Sequence, residues 1–436
     1  MVRASADPYL PGHGDISYDV VHYDLDLDYK VATNRLSGRA TLRVQALVPL
    51  DSLRLDLSRL SVDRVLVGGL PPKKVTPKER ALVVKLATPL AEGAETTVEI
   101  SYRGKPQPVH GPHGPAGWEE LTDGILVASQ PYGAPSFFPC NDRADNKASY
   151  TITVTTEADY RVVATGRPLG AATRAGRTRW IFDEPAPTSS YLVSLSIGRL
   201  DEDPLPGAGD RITVVRPRRL RLPRDTPFRL LPEMLATLEG WFGPYPFQCF
   251  RAVVVDDTLE IPMEAQDMAV FGTNHLLPGW DNERLVVHEL SHQWFGNAVT
   301  AARLSDIWLH EGFACYSEWL WSEQRGVATA DERAAAHRAV LAGQEQPTPL
   351  SDPGVANMFD DWVYKRGALT LHALRRTIGD DAFFALVSEW IARYGGGTAS
   401  TADFVALAAG YSTTDLTPLF SAWLDARKLP KLPRVG

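Results

Sequence analysis

The chain has 436 residues, 44% of them hydrophobic and 22% charged, a composition that fits a globular protein large enough to need two domains. Its 45 basic and 53 acidic side chains leave a net charge of -8, and its densest basic run, RPRRLRLPR at 216–224, is short and proline-broken. That excludes nucleic acid and anionic membrane as expected partners, and three cysteines without a Cys-x-x-Cys pair, Cys140, Cys249 and Cys315, exclude a disulfide framework or a thiolate zinc site.

The opening MVRASADPYLPGHGD carries no apolar core of signal-peptide length, and no run of 18 apolar residues follows anywhere. A cytoplasmic protein is expected, or a secreted one if a leader segment has been removed. From Ile16 onward the pattern has period two. Asp24, Asp26 and Asp28 interleave with Leu25, Leu27 and Tyr29, and similar alternation at 39–44 and 98–102 predicts half-buried antiparallel strands. Further strands are predicted at 149–156, 161–165, 179–183 and 191–198. Between them HGPHGPAG (110–117) reads as a mobile Gly/Pro loop, and its His110 and His113 as surface residues without a third metal ligand. Residues 1–202 are therefore expected to form an all-β domain.

DEDPLPGAGD (201–210) is read as the boundary and 216–224 as a solvated linker. Residues 203–436 then turn helical. Helices are predicted at 230–243, around 285–292, from Glu311 to about Arg325, at 362–379 and at 380–395, with one more after the Ser400–Asp403 capping box. With a strand at 252–257 this half is expected to be α+β. The tryptophans at 308, 319 and 321 are core aromatics in this reading, and His372 a core or interface histidine.

The chemistry is concentrated in LVVHELSHQWFGNAVTAARLSDIWLHE (285–311). His288 and His292 lie one helical turn apart on one face and can grip a single zinc ion. Glu289 follows the first histidine, placed to serve a water and not the metal. A catalytic zinc needs a third ligand and an open position, and Glu311, 19 residues beyond His292 (311 minus 292), supplies it.

HELSHQWFGNAVT and DIWLHEGFACYSEWL resemble the paired zinc signatures of the aminopeptidase N family of zinc metallopeptidases, the gluzincins. VYKRGALTLHALRRTIG, SYDVVHYDLDLDY and SQPYGAPSFFPCNDRADNKASYTITV resemble further segments of that family, from about Ile16 to Leu429. The resemblance implies a multidomain fold: an N-terminal all-β saddle-like domain, then an α+β thermolysin-like zinc catalytic domain. A short form lacking the family's C-terminal helical domain is expected. The implied activity is removal of N-terminal residues from peptides, by attack of a zinc-activated water on the first peptide bond. Glu289 is then the general base and Tyr364 the donor to the oxyanion. Glu318 orients a zinc-bound imidazole, while Glu264, with Met263 beside it and Gln130, reads the free α-amine. One zinc ion, peptides with a free N-terminus and a monomer are expected. Epoxide-opening relatives use the same zinc; a purely binding module would need neither Glu289 nor Tyr364.

The chain departs from the family at Ile261, Pro262 and Ala265, where Gly, a small residue and Asn are usual, which puts substrate backbone pairing in question. His310 stands where many relatives carry Asn. Glu260 is a candidate for favouring Lys or Arg at the first position.

Overall fold

A computed structural model describes residues 7–207 and 209–434. The chain packs as two compact units. The first holds the described residues up to Pro204, Thr213–Leu222 and Cys249–Asn274; the second holds Leu205–Ile212, Pro223–Gln248 and the described residues from His275 onward.

In the first unit the strand Tyr18–Lys30 lies inside a seven-stranded sheet, parallel to Lys147–Glu157 and antiparallel to Arg35–Ala46. Its pairing register shifts between Val20 and His22. The extra residue moves the buried set from Tyr18 and Val20 to Tyr23, Leu25, Leu27 and Tyr29. Such alternation turns one face of the sheet into core, each large apolar side chain contributing about 1.5–3 kcal/mol.

A five-stranded sheet follows, ordered Leu200–Pro204, Ile212–Pro217, Phe250–Val254, Met268–Phe271 and Met263–Ala265, with the last strand at its edge. Leu126, Val163, Leu200, Val215, Val253 and Met268 share one core. Segments beyond the boundary expected at 202/203 therefore pack with the first unit, because their strands complete a sheet that begins at Leu200. Ala208 of the expected boundary stretch, and residues 1–6 of the N-terminus read for targeting, lie outside the described residues.

Two expectations change here. The 216–224 run is not simply a linker, since Arg216 sits in the strand Ile212–Pro217 and pairs with Asp203, while Arg218 pairs with Asp201 and Arg219 with Asp256. The 110–117 stretch is a hairpin, Val109–Gly111 against Gly114–Leu121. Gly114 turns it with φ +90°, and the Tyr132 hydroxyl pins it by donating to Gly114 O (2.9 Å) and accepting from His113 N–H (3.1 Å).

The second unit is helical: α1 (Leu231–Phe242), α2 (Trp280–Ser291), α3 (Trp308–Gln324), α4 (Ala330–Ala342), α5 (Asp361–Ile378), α6 (Asp380–Tyr394) and α7 (Thr401–Ala409). Helix α4 is unforeseen by the sequence reading. Helix α3 is buried from Trp308 to Ser322, so it forms the middle of this unit. Its approach to α5 is set by two glycines: a Cβ added at Gly312 would meet Gly367 Cα at 2.8 Å, and one at Gly367 would meet Gly312 Cα at 2.7 Å. Arg366, fully buried, donates to Trp423 O (2.8 Å) and Arg427 O (3.0 Å), and so ties the chain's last turns to α5.

Gly367→Ala should therefore force α3 and α5 apart. A loss of about 1–3 kcal/mol in denaturant unfolding is expected, with an equal loss for Gly312→Ala, whereas Gly343→Ala, whose nearest neighbour would be 3.5 Å away, should change little.

Candidate metal centre

His288 and Glu289 occupy the last turn of α2, and His292 is its C-cap, with its N–H still bonded to His288 O. The helical register therefore runs through both histidines and brings their rings edge to face, 4.9 Å between centroids and 75° between planes. Each ring's proton can be assigned from its partner. His292 Nδ1 faces Phe295 O at 3.0 Å, and a carbonyl only accepts, so Nδ1 carries the hydrogen. His288 Nδ1 faces Glu318 Oε1 at 2.8 Å, with the same consequence. In the neutral rings both Nε2 atoms then present lone pairs, and both lie 3.5 Å from Glu311 Oε2.

That spacing fits zinc. Tetrahedral zinc with bonds of about 2.0–2.2 Å holds its donors on the order of 3.4 Å apart, and the three donor atoms here lie within 4.8 Å of one another. Two nitrogens and one carboxylate oxygen are also the donor types of catalytic zinc.

Glu311 sits in the first turn of α3, where the helix N-terminus favours negative charge. Its carboxyl is held well below the usual range: burial opposes ionisation, and the His292 and His288 imidazoles outweigh it. In the metal-free chain burial disfavours the His288 imidazolium, yet Glu311 and Glu318 raise its pKa to about 9. Glu318, seven residues beyond Glu311, is 4% exposed. Burial opposes its charge too, but Lys365, the His288 hydrogen bond and Arg284 hold its pKa down at about 2. Glu289 is 4% exposed. Tyr364, half-buried on α5, lays its ring against His288 at 6.1 Å between centroids and 16° between planes.

Sequence reasoning left His310 unexplained. Its Nε2 accepts Ala301 N–H at 2.7 Å, anchoring the connection between α2 and α3, in which Gly296 turns with φ +110°. The groups around Glu318, Arg284 (3.3 Å) and Lys365, were missed as well. His372, between the Tyr316 hydroxyl (3.2 Å) and Asp331 (2.9 Å), joins α5 to α3 and α4.

Within the first unit, Gln130 Nε2 donates to Glu264 Oε1 at 2.6 Å, which brings the two expected amine-reading residues together. Glu264 is buried and Met263 half-buried on the edge strand Met263–Ala265, where Glu264 pairs with Ala269. Pro262 ends just before this strand, so it removes no rung of the ladder to Met268–Phe271. Ile261 is 66% exposed, and Glu260 is exposed beside it.

Residues 20–192 match the Peptidase M1 N-terminal domain, and residues 228–423 match the Peptidase family M1 domain. Endoplasmic reticulum aminopeptidase 1 of Homo sapiens is 24% identical over 413 residues, which cover 86% of this chain and 43% of that one. Aminopeptidase B of Rattus norvegicus is 26% identical over 414 residues, covering 84% and 62%. The chain thus spans about half the length of these relatives. The crystal structure of an M1 zinc metallopeptidase from Deinococcus radiodurans aligns with 30% identity and a TM-score of 0.90 over 99% of this chain and 100% of that one. A mutant M1 zinc metallopeptidase from the same organism, bound to a Tyr-Ser-Ala substrate, aligns with 29% identity and a TM-score of 0.91 over 100% of both.

One equivalent of zinc added to chelator-treated protein should raise its thermal midpoint, since a ligand at about 100 times its Kd stabilises by about 2.7 kcal/mol. His292→Ala should abolish that rise while the metal-free midpoint stays within a few degrees; an equal rise in the variant would place the metal elsewhere.

Proposed function

Because the chain belongs to peptidase family M1, we propose that it is a zinc-dependent aminopeptidase that hydrolyses the first bond of peptides with a free N-terminus. The observation that carries this reading is the convergence of His288, His292 and Glu311, with Glu289 buried beside them. Zinc, when bound, supplies a Lewis acid that makes a water nucleophilic near neutral pH and polarises the scissile carbonyl.

The protein's own groups do the rest. Glu289 takes the proton of the attacking water and delivers it to the departing amine. Tyr364 donates its phenolic hydrogen to the oxygen that gains charge, a contribution of about 3–4 kcal/mol when the donor is already in place. Glu318 keeps the His288 proton on Nδ1, which leaves Nε2 as a ligand. Glu264, oriented by the amide of Gln130, pairs with the substrate's α-ammonium, and Met263 flanks it. An N-acetylated peptide lacks that charge, and an unmatched buried carboxylate costs about 2–5 kcal/mol, roughly thirtyfold or more in specificity.

The reading extends to a monomer acting on soluble peptides in the cytoplasm, without nucleic acid or membrane. A net charge of -8 disfavours polyanions, and the absence of a disulfide among the three cysteines suits a reducing compartment. Light scattering that returns a dimer would remove the monomer from it.

Glu289→Gln should retain stoichiometric zinc while turnover of aminoacyl-naphthylamides falls about a hundred- to ten-thousandfold; activity within threefold of the parent would sink the mechanism. In Glu264→Ala, cleavage of free-amine substrates should fall at least about thirtyfold with zinc content unchanged. Unaltered discrimination between free and N-acetylated substrates would take the amine-reading role away from Glu264.

A further inference from the structure

The carbonyl that fixes the proton of His292 belongs to a turn, and the turn is tied down by a side chain from the next helix. His292 Nδ1–H donates to Phe295 O at 3.0 Å. The chain then folds back on itself: Gly296 N–H donates to Val299 O at 2.9 Å, Asn297 N–H to His292 O at 3.0 Å and the Thr300 hydroxyl to Gly296 O at 2.6 Å. An added Cβ at Gly296 would stand 3.4 Å from His310 Cγ and 3.5 Å from His292 Nδ1, so both rings close over this bare glycine. Next comes the short strand Thr300–Ala301, parallel to Thr398–Ala399. Thr300 N–H donates to Gly397 O (3.2 Å) and Ala302 N–H to Ala399 O (2.8 Å). Successive amides of a strand point in opposite directions, so the Ala301 N–H faces away from that partner into the interior, where an unmatched donor is costly. Its acceptor is His310 Nε2, at 2.7 Å. His310 is buried and immediately precedes Glu311 on α3. A single side chain thus joins the helix that carries one candidate ligand to the turn whose carbonyl aims another.

We propose that His310 is a positioning residue for His292, acting through the Ala301 amide and the turn 295–300 that presents Phe295 O. The imidazole hooks the turn to α3, so that the carbonyl stays against His292 Nδ1 and Nε2 keeps its direction toward Glu311. The proposal rests on the reading that His292 and Glu311 hold zinc. It also gives the departure at position 310 a purpose: an Asn side chain ends one bond short of the imidazole Nε2, whereas the amide oxygen of a Gln reaches as far. A loosened turn makes the binding arrangement one of several, and affinity falls by the fraction of molecules that have it. Groups removed from directly behind a metal-bound imidazole cost about 10–100-fold in affinity, and His310 acts one link further back, which sets the lower end of that range.

The test is chelator competition for zinc on the full chain, with the visible absorption of the cobalt(II)-loaded protein as a second reading of how the ligands are arranged. His310→Phe keeps a ring and removes the acceptor: zinc should bind about tenfold more weakly, and the cobalt bands should shift. His310→Gln removes the ring and keeps the acceptor, and should stay within about threefold of the parent with the parent's bands. Thr300→Val cuts another tie of the same turn, so the double variant with His310→Phe should lose less than the product of the two single losses. Affinity within about twofold of the parent in His310→Phe, or a loss in His310→Gln as large as in His310→Phe, would overturn the proposal; the second result would make the ring only a filler beside Gly296. Losses that multiply fully in the double variant would overturn it too, by parting His310 from the turn. Should His310→Phe lack a cooperative unfolding transition, His310→Leu carries the same expectation. A parent protein that binds no stoichiometric zinc would instead defeat the functional reading itself.

Discussion

Three carboxylates and two imidazoles withdrawn from water are the constraint around which the second unit is built. Glu289, Glu311 and Glu318 are each at most 4% exposed, and an uncompensated charge in such surroundings costs several kcal/mol. The fold answers with specific partners: an α3 N-terminus for Glu311, an imidazole proton and two cations for Glu318, and a carbonyl that fixes the tautomer of His292. What remains is two lone pairs and one carboxylate oxygen aimed at a common point. For a member of a zinc peptidase family, that remainder is the candidate place for the ion.

Backbone devices deliver this precision. His288 and His292 share one helical register, whereas Glu311 must come from another helix, so the offset between α2 and α3 decides whether the donors meet. His310, accepting Ala301 N–H at 2.7 Å, fixes the connection from one side, and Gly296 lets it turn sharply. On the far side the Gly312–Gly367 contact lets α5 lie against α3 closely enough for Tyr364 to stack on the His288 ring. A larger residue at either glycine would act on the chemistry without touching a reacting atom.

The convergence of His288, His292 and Glu311 was legible because their spacing is itself the geometry: four residues make one turn, and a glutamate beginning the next helix is close whenever the connection is compact. Glu318 was legible for a similar reason, lying two turns beyond Glu311. Lys365 and Arg284 were not, since their nearness to Glu318 depends on helix packing that no local pattern records. The 110–117 stretch misled because glycine and proline mark a tight hairpin as readily as a loose loop, and only the Tyr132 hydroxyl distinguishes them. Helix α4 buries just Ala330, Ala334 and Leu341, too thin a stripe to stand out, although its Thr329–Glu332 capping box announces its start. The strands beyond residue 202 escaped assignment to the first unit because sheet partnership across some fifty residues leaves no periodic trace.

The chain passes between its two units at 204/205, 212/213, 222/223, 248/249 and 274/275. A polypeptide emerging from the ribosome therefore cannot finish its first unit when the first two hundred residues are out; the strand Met268–Phe271 must still arrive and slot between Phe250–Val254 and the edge strand. By then α1 has already been made and must wait for α2 and α3 before it finds its own core. Vectorial synthesis thus obliges the halves to mature together, and recombination cannot exchange either as a single uninterrupted cassette. The strand that bears Glu264 and the helix that bears His288 travel in one short stretch of message, and are inherited as a pair.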